Sequence, residues 1–99
     1  MAKITQAGEI TGKSAKDIYV ASQEALTAAG FEVWKKRPVA WLLMAKQKVE
    51  GQWVNANLAV RPTSPTSYAL TISSDGLDEG SLQGFADVVT ESLRELRQD

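Results

Sequence analysis

The sequence predicts an α+β fold: a two-layer sandwich in which an antiparallel four- to five-stranded meander carries two helices on one face, in the order (β)-α-β-β-β-β-α. Three observations predict it. Residues 14–30 and about 78–96 have apolar positions at helical spacing, and four alternating segments lie between them. The connections between those segments are too short for parallel strands, which need crossovers of about a dozen residues or more. At 99 residues the chain is the size of one domain, spanning 1–99, and folding at this length hides roughly 60 to 70% of the unfolded surface.

The elements follow in order. Residues 3–11 could form a short edge strand, although their alternation is poor. In "SAKDIYVASQEALTAAG", Ser14 caps a helix with Asp17 three residues on, and Ile18, Ser22, Ala25 and Ala29 form a stripe flanked by Tyr19 and Leu26. Gly30 stands where a left-handed stop belongs. "FEVWKK" then alternates Phe31 and Val33 against Glu32, Trp34 and Lys36, which is a strand. Pro38 lacks an amide hydrogen and disfavours helical angles at Arg37, so the chain turns there before "VAWLLMAKQKV". "VEGQ" is a hairpin turn, "WVNANLAVR" a strand, "PTSPTS" a loop and "YALTISS" the last strand. Leu82, Phe85, Val89, Leu93 and Leu96, at offsets of 0, 3, 7, 11 and 14, make the final helix. Gly80 and Gly84 each cost about 1 kcal/mol relative to alanine, which places its firm part after Gly84.

Both helices must bury their stripes on the one inner face that the sheet offers. Val54, Ala56, Leu58 and Val60 should face them, joined by Tyr68, Leu70, Ile72, Phe31 and Val33, while Trp41, Leu43 and Ala45 depend on a register that a one-residue slip would invert. The opposite face then carries Trp34, Lys36, Leu42, Met44, Lys46, Trp53, Asn55, Asn57 and Arg61, with Ala40 and Lys48 on the same alternation. An apolar and basic surface of this kind marks an interaction face, unless a strand edge, the first segment or long lysine stems cover it.

Composition narrows the chemistry. The chain has no cysteine and no histidine, which removes disulfides, thiolate and imidazole nucleophiles and the commonest zinc ligands and general base. No catalytic, cofactor-binding or metal residue stands out, and no cofactor is expected. "SSDGLDEG" gathers Asp75, Asp78 and Glu79, but lacks the alternating ligands and terminal Glu of a calcium loop, and acidic residues favour a helix start in any case. Nothing at the start reads as a signal peptide and no apolar run approaches the length of a membrane span, so a cytoplasmic location and no membrane are expected. The near-neutral total of −1 conceals an asymmetry: residues 31–62 balance at +4 and residues 63–99 at −5.

The leading expectation is a non-enzymatic interaction module that self-associates as a homodimer, or takes a protein partner, through the open sheet face. Nucleic-acid binding through the basic, tryptophan-bearing sheet is the alternative, with Trp34 and Trp53 as stacking platforms and Lys35, Lys36, Arg37, Lys46 and Arg61 for phosphates. A small ligand between helices and sheet is a third. The element order is similar to that of many small bacterial domains, and architecture alone does not carry function.

Overall fold

The computed structural model describes residues 2–63 and 65–95. Its elements are β1 (Ala2–Ile10), α1 (Ala15–Ala28), β2 (Glu32–Arg37), a single 3-10 turn (Pro38–Ala40), β3 (Leu42–Val49), β4 (Gln52–Arg61), β5 (Thr66–Ser74) and α2 (Glu79–Arg94). All neighbouring strands are antiparallel in the order β1-β5-β4-β3-β2. Strands β2 to β5 form the meander, and β1 adds to it beside β5. Helix α1 connects the two opposite edges of the sheet. No helix among the described residues is long and apolar enough to cross a membrane.

Local chemistry explains each boundary. Ser14 Oγ accepts the Asp17 amide at 3.2 Å while Asp17 Oδ2 accepts the Ser14 amide at 3.4 Å, which satisfies two amides that the first turn of α1 leaves free. Gly30 leaves the helix at φ +94°, a region that side chains disfavour. The β3–β4 hairpin closes on Glu50 and Gly51 at φ 50° and 81°, the two positive values that a primed two-residue turn needs.

Three details depart from the sequence expectation. β1 is a regular nine-residue strand rather than a short one, its alternation masked because inward positions are filled by Gln6 and Gly8. The Tyr68 ring lies across Gly8 and supplies the missing bulk. The segment Val39–Trp41 does not begin the next strand: Pro38 starts a 3-10 turn and Trp41 is held left-handed at φ 52°. The indole of Trp41 packs edge-on against Tyr19, with centroids 5.6 Å apart, and Tyr19 Oη donates to the Leu42 carbonyl at 3.0 Å. Helix α2 begins at Glu79, ahead of Gly84, because Asp78 caps it through Ser81 N–H at 2.8 Å and Leu82 is fully buried. Leu96, expected on its stripe, lies outside the described residues.

The core sits between the helices and one face of the sheet. Ile18, Leu26, Leu82, Val89 and Leu93 from the helices meet Leu43, Val54, Leu58, Leu70 and Ile72 from the strands, all completely buried. Leu43 and Leu70 flank Leu58 in register, so β3, β4 and β5 present one apolar row to α1 and α2. Register settles the open question of the β3 strand: Leu43 and Ala45 point inward, opposite Leu58 and Ala56. Phe31 and Phe85 seal the end of this layer edge to face at 5.7 Å.

Candidate binding face

The other face of the sheet is covered by no described element. Pairing across all five strands sets its side chains in rows. One row runs Glu32, Lys46, Asn55, Ser73, Lys3; the next runs Lys35, Met44, Asn57, Thr71, Thr5; a third runs Arg37, Leu42, Ala59, Ala69, Ala7. Arg61, Ser67 and Glu9 complete a fourth at one end, and Lys48 stands beside Trp53 at the other.

Leu42, Met44, Lys46, Trp53, Asn55, Asn57 and Arg61 all belong to this face, as their alternation implies. Trp34 joins them through a β-bulge. Val33 pairs with Ala45 and Lys35 with Met44, so Trp34 and Lys35 together oppose one residue. The Trp34 indole meets Lys46 on the open side, with Nζ 5.8 Å from the ring centroid. The same Nζ lies 5.2 Å from the Trp53 ring, and Lys48 Nζ is 5.7 Å from Trp53 on its other flank. Lys46 is thus clasped between two indoles whose residues remain 50% and 52% exposed, a geometry in which aromatic faces stabilise the ammonium.

The bulge separates Lys36 from this group. Beyond it Lys36 pairs with Leu43, whose side chain is inward, so Lys36 takes the helix-side register at the sheet edge and stays exposed there. Lys35 and Arg37 take the open-face register in its place. Strict alternation through "EVWKKR" implied the opposite, and no glycine or other local residue marks the bulge. Ala40, grouped with the outward residues by alternation, belongs to the 3-10 turn. The contribution of β1 was also unreadable, because its place beside β5 is a tertiary fact: it brings Lys3, Thr5, Ala7 and Glu9 to the face.

Six cations and two carboxylates therefore occupy the open face, and among the described residues the one ion pair, Arg94 with Glu91 at 3.4 Å, lies elsewhere on α2. Burial raises the Tyr19 and Tyr68 phenols above their ordinary 10.0. The arrangement suits recognition, with two half-exposed indoles beside a cluster of cations.

The sequence matches no family model and no curated protein.

Proposed function

We propose that the chain is a non-enzymatic interaction module and that its open sheet face takes a second copy of the chain, forming a homodimer. The observation that carries this reading is the uncovered face itself, on which half-buried Leu42 and Met44 share a surface with half-exposed Trp34 and Trp53. Five strands about 4.8 Å apart and about eight residues long give a face of roughly 650 Å², so stacking two would bury on the order of 1,300 Å². That is the lower part of the range for stable complexes.

Light scattering after size exclusion, across a concentration series, tests it. A dimer dispersed by Leu42→Glu and by Met44→Lys is expected, since either variant puts a charge in the middle of the buried area while leaving the monomer core untouched. A wild-type chain that stays monomeric at high concentration refutes it.

A second reading draws on the clasped Lys46: half-exposed indoles beside unpaired cations are also what single-stranded nucleic acid stacks upon. Salt-dependent binding of mixed oligonucleotides, lost in Trp53→Ala, would favour it over self-association. The small-ligand alternative gains less support: buried core fills most of the layer between helices and sheet, and the open cleft that Gln6 and Tyr68 line with α2 has no buried polar side-chain atom left without a partner among the described residues.

A further inference from the structure

The open face has a step in it. Strands β2 and β3 raise long side chains, Trp34, Lys35, Arg37, Met44, Lys46 and Lys48, whereas β5 presents only Ser67, Ala69, Thr71 and Ser73. Strand β1 continues the low side with Thr5 and Ala7 and carries a charge near each end, Lys3 and Glu9.

A twofold axis lying between two such faces can run across the strands or along them. Across the strands, the tall half meets the tall half, and the low halves leave a gap between them. Along the strands, each tall half settles on the partner's low half. We infer that the chain dimerises in this second way, with the axis parallel to the strands over β4, so that β3 lies over the partner's β5 and β2 over the partner's β1. The inference rests on the self-association reading above and specifies its geometry.

Charge at the two edges of the sheet fits the same choice, although on the axis β4 meets itself and Arg61 comes over the partner's Arg61. Rotation about an axis along the strands permits no slide, so each row of one sheet meets the same row of the other, to within the crossing of about −30° that twisted sheets adopt. Glu32 and Lys3 end one row at opposite edges, and the rotation sets Glu32 over the partner's Lys3 twice, once on each side of the axis. Arg37 comes over the partner's Ala7, one row from the partner's Glu9 and within reach of a guanidinium. Lys46 comes over the partner's Ser73, whose hydroxyl can accept from the ammonium. Within one chain Glu32 and Lys3 lie four strand spacings apart, about 19 Å, and cannot pair.

That separation makes the geometry testable by sedimentation equilibrium. Glu32→Lys alone, and Lys3→Glu alone, are expected to weaken the dimer by roughly tenfold, because each converts two attractions into repulsions at a half-exposed rim. The double reversal should restore wild-type affinity. Ala69→Trp, which points to solvent in the monomer and under Leu42 of the partner subunit in the dimer, should abolish association with unchanged far-ultraviolet dichroism. If Leu42→Glu disperses the dimer but the double reversal fails to restore it, or Ala69→Trp leaves it intact, the open face self-associates in another arrangement and this geometry is wrong. A monomer at about 1 mM, a concentration at which even millimolar affinity is visible, overturns both the geometry and the reading beneath it.

Discussion

Replacing Gly8 with alanine should destabilise the protein, and the sign of that effect depends on one ring. A Cβ at position 8 would lie 2.7 Å from Tyr68 Oη, 2.8 Å from Cζ and 2.9 Å from Cε1. Ordinary contact is about 3.5 Å or more, so the ring must retreat by roughly 0.7 Å. Overpacking of this kind costs about 1–3 kcal/mol. Tyr68 also lines an open cleft of about 470 Å³ with Gln6, Asp87, Thr90, Glu91 and Arg94, which gives the ring room to swing and holds the cost to the lower half of that range. Against it stands a gain of about 0.5–1 kcal/mol, because alanine has less freedom to lose from the unfolded chain than glycine. The net is a loss of about 1 kcal/mol, or a fall of about 4–8 °C in melting temperature for a chain of this size. With the ring removed by Tyr68→Val, only the gain remains, and Gly8→Ala should stabilise by about 0.5 kcal/mol. Urea denaturation of all four members of the cycle, at one protein concentration, reads the coupling directly. Equal effects of Gly8→Ala in the two backgrounds, or a neutral effect with Tyr68 present, would refute the claim that the ring takes the place of a side chain on β1.

Ser14→Ala should cost about 1 kcal/mol, since it removes one arm of a reciprocal cap, and thermal melts will show it as a shift of several degrees. At the other helix, the Ser81 N–H holds the Asp78 carboxyl below its ordinary 3.8. A lowered folded value means that this contribution is present above the unfolded value and disappears as pH falls through the folded one. Melting temperature measured from about pH 5 down to about pH 2 should fall, and Asp78→Asn, which keeps an acceptor but cannot titrate, should fall less steeply. Lys46→Met keeps the aliphatic stem and removes the ammonium from between two rings, so a loss of about 0.5–1 kcal/mol is expected together with altered indole fluorescence.

The element types were legible because each rests on local chemistry. Ser14 with Asp17, Gly30, the Glu50–Gly51 turn and the alternation of β4 act over a few residues, and the structure forms each where the sequence implies. The inward set Val54, Ala56, Leu58 and Val60 was equally legible, since a period of two admits only two assignments and one of them buries asparagines. Helix α2 starts where its periodicity implies, and its firm part extends ahead of Gly84 because the Asp78 cap and the burial of Leu82 outweigh the intrinsic glycine cost.

What the sequence by itself determined about this protein is therefore its class, its order of elements, the sides of β4 and β5 that face the helices, and the basic, indole-bearing character of the other side. What only the tertiary structure decided is the membership of that open face. The bulge after Val33 moved Lys36 out and Lys35 and Arg37 in, Trp41 turned left-handed with its indole against Tyr19, and β1 took its place beside β5. The reason is the range of the interactions involved. Caps, turns and alternation are satisfied by neighbours in the chain, whereas a bulge, a strand's partner and the step across a sheet depend on residues brought together from as far apart as Lys3 and Ser73.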